Sequence, residues 1–193
     1  MTGLPLDLVI GPDGRARCAW AGRDPEYLRY HDEEWGRPLH GDRPLYEKLT
    51  LEGFQAGLSW ITILRKRPAF RTAFAGFEPE IVAAFDESDI ERLMGDAGIV
   101  RNRAKIEAAI SNANIVSAMA EGELDRLLWS FAPPPTAQRP ASFVDLPATS
   151  PGSEAASKAL RKLGFRFVGP TTLYALMQSS GMVDDHIEGC WRA

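Results

Sequence analysis

The residues best suited to chemistry are the two cysteines, Cys18 and Cys190, because each has a histidine at metal-ligand spacing. His31 follows the first, and the second closes the run His186-x-x-x-Cys190. Imidazole and thiolate are borderline and soft ligands. If the two chain ends meet, Cys18, His31, His186 and Cys190 close a tetrahedral Zn²⁺ site. Everything from residue 32 to 185 is then inserted between the halves of a clasp. The spacing alone leaves structural and catalytic zinc open. Four protein ligands leave no coordination position for a substrate, which reads as structural.

A second chemical signal is a carboxylate on an apolar stripe. Leu45, Leu49, Glu52 and Ala56 repeat at helical spacing. A buried carboxylate is costly unless paired or hydrogen-bonded, so Glu52 marks either a site or a boundary residue whose head reaches water. Trp20, Tyr27, Tyr30, Trp35 and Trp60 supply aromatic company. Around a buried anion they would form a slot for a flat, cationic, hydrogen-bonding ligand. Taken singly, each tryptophan reads as core packing.

Helices must position these groups, since the periodicity is helical and no alternating strand run stands out. Asp42 and Pro44 suit the N-cap and first turn of the helix carrying Glu52. Ser88 with Glu91 reads as a capping box ahead of Leu93 and Met94. Asn102 starts a helix through Ile106, Ala109, Ile110 and Ala113. The stripe Leu124, Leu127, Leu128 and Phe131 is stopped by Pro133, Pro134 and Pro135. Residues 132 to 152 have the proline-rich character of a surface connection.

Ala156, Ala159, Leu160 and Leu163 then form a short helix that Gly164 ends, and Pro170 opens the next. The bracketed segment Gly164-Phe165-Arg166-Phe167-Val168-Gly169 permits a tight turn and close backbone approach. Gly169-Pro170-Thr171-Thr172 leaves backbone N–H groups free at a helix start, which suits a phosphate oxygen. This resembles the helix-hairpin-helix element of DNA repair proteins, although a plain αα-hairpin has similar punctuation.

Net charge is −4, which announces no nucleic-acid partner; the distribution says more. Arg65, Lys66, Arg67 and Arg71 form one cationic stretch; Arg101, Arg103 and Lys105 form a second. Lys158, Arg161, Lys162 and Arg166 form a third. These read either as one DNA-facing side or as ordinary solvated helix faces. Hydrophobic residues at 45% and charged residues at 25% are those of a globular protein. Met1 to Pro12 lacks signal-peptide character, and no apolar run is long enough to span a membrane. A cytoplasmic location with reduced cysteines is therefore expected.

Several motifs in fixed order then identify a resemblance. They are Cys18-x-Trp20, Tyr30-His31-Asp32-x-Glu34-Trp35-Gly36, Leu51-Glu52-Gly53-x-Gln55-Ala56-Gly57-Leu58-Ser59-Trp60, the hairpin from Lys162 to Gly169, and Asp185-His186-x-x-x-Cys190. Together they closely resemble the bacterial 3-methyladenine DNA glycosylase I family, from about Cys18 to Cys190.

The resemblance implies an all-α helix-hairpin-helix fold with a small zinc domain built from both chain ends. The implied division is 1–41 plus 170–193 around zinc and 42–169 as the helical domain with the hairpin at 164–169. Cys18, His31, His186 and Cys190 are the implied ligands of a structural Zn²⁺. Glu52, Tyr30 and Trp60 match positions lining the pocket for a methylated base, with Trp20, Tyr27 and Trp35 as further walls. Gly57 and Leu58 match the loop that approaches the gap left in the duplex. Gly164, Arg166, Gly169 and Thr171 are the expected DNA contacts of the hairpin. Phe54 departs from the family, where a polar residue, often glutamine, is usual.

The implied activity is extrusion and hydrolytic excision of N3-methyladenine from alkylated double-stranded DNA by a monomer, without strand cleavage. Glu52 is the expected catalytic residue, reading the adenine N6/N7 edge and stabilising developing charge while Tyr30 and Trp60 stack the ring. Leu58 is the expected wedge. Asp184 and Asp185 read as supports of His186 or as helix caps in preference to catalytic carboxylates. The competing classes are a non-catalytic DNA-binding module and a zinc hydrolase. The first has no use for a buried carboxylate, and the second needs an open metal position.

Overall fold

The computed structural model describes residues 7–134 and 138–193. Pro135, one of the three prolines expected to stop a helix, lies outside them. Among the described residues the architecture is helical: α1 (Pro25–Glu33), α2 (Asp42–Gln55), α3 (Trp60–Ala73), α4 (Pro79–Ala83), α5 (Glu87–Gly95), α6 (Arg103–Ser117), α7 (Glu123–Trp129), α8 (Pro151–Lys162) and α9 (Pro170–Ser179). None is long and apolar enough to cross a membrane.

Strands β1 (Leu8–Ile10) and β2 (Ala16–Cys18) form a small antiparallel hairpin with Leu8 opposite Cys18. Three residues per strand are too few to show alternation, so this element escaped the sequence reading. The hairpin matters because it delivers Cys18 to the chain's other end: Trp191 N–H donates to the Ala16 carbonyl at 2.8 Å.

The core forms around α2, in which Leu45, Tyr46, Lys48, Leu49, Thr50, Leu51, Glu52, Gly53 and Phe54 are all buried. The apolar stripe inferred for this helix was thus too narrow. α2 is enclosed on every side, which removes Glu52 from water. Ala56, assigned to the same stripe, lies just past the helix end and is exposed. Phe54 points into an aromatic cluster with Phe70 (4.8 Å between ring centres) and Phe74 (6.0 Å). A second, smaller cluster joins Cys18, Ile187 and Cys190, with Leu8, Trp20, Phe143 and Leu146 packed against it.

Two helix starts differ from expectation. Gly41, not Asp42, is the N-cap of α2, and Asp42 instead accepts from the Gly122 and Asp125 N–H groups at 2.7 and 2.9 Å. Asp125 returns the contact by accepting from Gly41 N–H at 2.8 Å, so α2 and α7 cap each other. The capping box of α5 is Asp86 with Asp89, two residues before the expected Ser88 and Glu91. Overlapping acidic and hydroxyl residues offer both registers, and the earlier one wins. Asn102 does cap α6, accepting from Lys105 N–H at 3.1 Å.

Candidate active site

Four helices and three connecting segments converge on one cavity of about 240 Å³. Trp20 enters from the turn after β2, Tyr27 and Tyr30 from α1, Trp35 from the loop after it, Glu52 and Gln55 from α2, and Trp60 from the first residue of α3. All six pocket residues singled out in the sequence, Glu52, Tyr30, Trp60, Trp20, Tyr27 and Trp35, line this cavity. Phe143 and Leu146 from the proline-rich connection, with Ala175 and Gln178 from α9, complete it. These four carried no local signal. A hydrophobic residue in a connection and a glutamine on a helix are unremarkable until folding brings them here.

The walls are aromatic edges and faces. Trp20 meets Tyr27 and Trp35 edge-on, at 5.1 and 5.0 Å between ring centres, and Tyr30 lies 5.5 Å from Trp60 at a 47° tilt. Such packing fixes the rings before any ligand arrives. Trp60 is nearly buried, and its Nε1–H has no partner among the described residues. The volume falls below the roughly 300–1,000 Å³ of sites for drug-sized ligands, so the cavity suits a small flat molecule.

Glu52 is the carboxylate of this cavity. It is 4% exposed, and its Oε1 accepts from Ser179 Oγ at 2.9 Å. Burial pushes its carboxyl up to about 7, while Lys48 and the Ser179 hydrogen bond work in the opposite direction. Tyr30 is pushed well above its ordinary value by burial first and by the Glu52 charge second. A carboxyl titrating near neutrality among aromatic rings combines charge complementarity with stacking.

Next to this cavity the chain ends meet. Cys18, His31 and Cys190 are buried, and their ligand atoms lie within 4.8 Å of one another, a group able to hold a metal ion. His31 Nδ1 is paired with Asp32 Oδ1 at 2.8 Å, so Nε2 faces Cys190 Sγ at 3.5 Å. The Cys190 thiol is held down to about 4 by the hydrogen bond from Cys18, whose own thiol is pushed up in return. His186 stands beside the group, its ring 5.0 Å from that of His31. Its Nδ1 is paired with Asp184 Oδ1 at 2.6 Å, and its buried Nε2 has no partner among the described residues.

Both histidines therefore show the carboxylate-oriented ring typical of metal ligands. Burial raises the Asp184 carboxyl, but hydrogen bonds from His186 and Arg139 prevail and hold it at about 2. Asp185 turns the other way, accepting from Tyr174 OH and Gln178 Nε2, each at 2.8 Å. Gly36 lets the backbone pass: a Cβ there would lie 2.8 Å from His186 Cε1.

Two further elements frame the cavity. Past α2, Gly57 has φ +85° and Leu58 is 43% exposed. Lys105, on α6, reaches under this corner and donates to the Phe54 and Ala56 carbonyls at 3.0 and 2.7 Å. The α8–α9 connection closes with a Schellman pair, Gly164 N–H to Arg161 O and Phe165 N–H to Leu160 O, both 3.0 Å, with Gly164 at φ +97°. Ser157 Oγ donates to Val168 O at 2.6 Å, and Gly169 is the N-cap of α9 with Thr171 exposed in its first turn.

The three cationic stretches separate in space and role. In the first, Arg65 pairs with Asp24, Arg67 with Glu34 and Arg71 with Glu47, while Lys66 donates to the Ala97 and Gly98 carbonyls. These cations are engaged within the protein, in ion pairs and backbone contacts. In the second, Arg103 pairs with Glu87 and Glu91, and Lys105 is the support just described. Lys158, Arg161, Lys162 and Arg166, around the hairpin, are exposed and have no ion-pair partner among the described residues.

Residues 20–193 match the pattern of the methyladenine glycosylase family. The DNA-3-methyladenine glycosylase 1 of Escherichia coli (strain K12) is 47% identical over 177 residues, which cover 90% of this chain and 95% of that protein. The DNA-3-methyladenine glycosylase of Haemophilus influenzae is 45% identical over 177 residues, 90% of this chain and 96% of that one. A crystal structure of a 3-methyladenine DNA glycosylase I superposes with a TM-score of 0.86 at 48% identity, covering 91% of this chain and 98% of the other. The Staphylococcus aureus enzyme, solved to define its recognition of 3-methyladenine, gives 0.82 at 37% identity over 91% and 95% of the two chains.

Proposed function

Because this chain belongs to the methyladenine glycosylase family, we propose that it excises N3-methyladenine from alkylated DNA by hydrolysis of the N-glycosidic bond. The observation that carries this reading is the aromatic cavity with a buried carboxylate at its wall, Glu52 among Tyr30, Trp60, Trp20, Tyr27 and Trp35. A base inside a duplex cannot reach such a cavity, so the nucleotide must be turned out, at a cost of a few kcal/mol. Leu58, exposed at the corner after α2, is the wedge for the vacated stack.

Methylation at N3 gives adenine a positive charge. When the bond from C1′ to the base breaks, its electron pair returns to the ring and neutralises that charge. Water then supplies the oxygen to C1′ and releases a proton. The leaving group is already good, so the protein contributes recognition more than chemical force. Tyr30 and Trp60 stack the ring, and Glu52 reads its N6/N7 edge and opposes positive charge developing on the sugar. Among the described residues no lysine lines the cavity, and cleavage through an imine would need an amine at C1′, so we read the reaction as hydrolysis without strand cleavage. This work is that of a cytoplasmic monomer acting on double-stranded DNA.

Zinc fits the residues at the chain ends. Cys18, His31 and Cys190 form the donor group, and Nε2 of His186, without a hydrogen-bond partner among the described residues, supplies a fourth donor of the right chemistry. With four protein ligands such an ion would be structural, tying 1–41 to 170–193 and steadying Tyr30, whose neighbour in sequence is the ligand His31. The other part, 42–169, carries the hairpin, for which Gly164, Arg166, Gly169 and Thr171 are the proposed phosphate contacts of a helix-hairpin-helix element.

Incubation with methylated duplex DNA and identification of the released bases tests this reading. Release of 3-methyladenine is expected, lost in the Glu52→Gln, Trp60→Ala double variant. Absence of that base from the products of the wild-type protein would refute it.

A further inference from the structure

Behind the aromatic wall lies a second cavity of about 280 Å³, lined by Lys48, Ser179, Glu34, Arg67 and Glu47 among others. Lys48 is buried, one helical turn before Glu52 on α2. Its ammonium lies 5.1 Å from the centre of the Tyr30 ring and 5.5 Å from that of Trp60. Lys48 lines the second cavity and not the first, whereas both rings line the first. The cation thus approaches the base cavity from its rear.

Ser179 meets Glu52 from the end of α9. Its single hydroxyl proton has two acceptors, Glu52 Oε1 at 2.9 Å and Leu176 O at 3.2 Å. With Glu52 ionised, the proton goes to the shorter contact. With Glu52 protonated, the carboxyl donates to Ser179 and Ser179 to Leu176. The contact survives in both states, and the carboxyl cannot rotate without breaking it.

We propose that Ser179 and Lys48 are positioning residues for Glu52, Ser179 fixing the orientation of its carboxyl group and Lys48 supplying the counter-charge from behind the Tyr30–Trp60 wall. The inference rests on the reading of Glu52 as the group that recognises the cationic base. Facing Glu52 are Lys48 on its own helix, Tyr27 and Tyr30 from α1, Trp60 from α3, and Ser179 and Gln178 from α9. Burial raises the Glu52 carboxyl, and Lys48 and Ser179 are the two groups that oppose it. Lys48 is itself depressed by burial, with Glu52 and then Glu34 holding its charge.

The test is single-turnover release of 3-methyladenine from methylated duplex across about pH 5.5 to 9.5, alongside carbon NMR titration of the Glu52 carboxyl in the free protein. Ser179→Ala and Lys48→Met each raise the midpoint of the acid limb, and of the NMR titration, by about one pH unit. The lost rate returns at high pH. Ser179→Thr, which keeps the hydroxyl, restores the wild-type midpoint. Folded variants that keep the wild-type midpoint, or lose rate equally at every pH, would overturn the inference. If Lys48→Met does not fold, the Ser179→Ala and Ser179→Thr pair decides. A wild-type protein that releases no methyladenine refutes the proposed function instead, and the NMR titration still judges this inference.

Discussion

Asn112 and Arg166, 54 positions apart, grip each other through both faces of one amide: Asn112 Nδ2 donates to the Arg166 carbonyl at 3.0 Å, and Arg166 N–H donates to Asn112 Oδ1 at 2.8 Å. Asn112 is buried on α6, so the hairpin turn is fastened to the centre of the helical core. Replacing it with alanine takes the side-chain partner from both the carbonyl and the N–H of Arg166 at a part-buried site, which costs about 1–3 kcal/mol. Asn112→Ala is expected to lower stability by that amount in urea unfolding. It should also weaken binding to duplex DNA, while the affinity for free 3-methyladenine, measured by fluorescence of the cavity tryptophans, stays unchanged.

Glu52 and the cysteine–histidine pairs were legible because each is anomalous locally: a carboxylate among leucines, and scarce metal-binding residues at ligand spacing. Asn112, Ser179, Lys48 and Lys105 were not. A serine on an apolar helix says nothing of a carboxylate 127 positions away, and a lysine inside a helix ordinarily faces water. The helices were legible through their periodicity, and their starts less so, because Asp86 and Ser88 both offer caps and tertiary contacts choose between them. The arginines before α3 ends illustrate the same limit. Their charge was visible in the sequence, but not that Glu34, just past α1, and Glu47 of α2 would neutralise it.

The raised carboxyl of Glu52 makes the site a burden on the free fold. Its folded value of about 7 exceeds that of an unfolded glutamate, so the native state holds a proton the unfolded state has released. Stability from this group is therefore fully present at low pH, falls as pH rises from the unfolded value towards 7, and is flat above. Glu52→Gln keeps the shape and removes the charge. It is expected to stabilise the protein at pH 8 by up to about 3 kcal/mol, a gain that shrinks to about 1 kcal/mol or less near pH 5. Paired urea unfolding curves at the two pH values check this, and the same variant should excise 3-methyladenine far more slowly.

Cys190 and His31 face each other across the junction of the chain ends, so metal loss should be felt as a loss of folding energy. One zinc per chain is expected by elemental analysis of the purified protein, and none in Cys190→Ala. That variant should lose about 3 kcal/mol or more, a fall in Tm of roughly 10 °C. Base release by the fraction still folded should remain measurable, as a structural ion requires.

Leu58 stands 43% exposed beyond α2, with little packing to lose. Leu58→Ala is expected to leave stability within about 0.5 kcal/mol of wild type. Release of 3-methyladenine from duplex DNA should nevertheless fall by about tenfold or more, as befits an apolar wedge whose insertion offsets unstacking. Free 3-methyladenine should bind the variant as it binds the wild type, separating extrusion from recognition.

The division of the cations gives a prediction with an internal control. Lys158, Arg161, Lys162 and Arg166 are exposed around the hairpin without ion-pair partners among the described residues, whereas Arg67 and Arg71 are bound to Glu34 and Glu47. An unneutralised cation that meets a phosphate releases a counterion, and each such contact contributes about 0.9 to the slope of log K against log salt. Arg166→Ala and Lys162→Ala are therefore expected to reduce that slope by close to one apiece in duplex titrations from low to moderate salt. Arg71→Ala removes the same formal charge from a pair already closed within the protein and should leave the slope unchanged. Equal effects from all three variants would mean that net charge, and not the hairpin face, governs DNA binding.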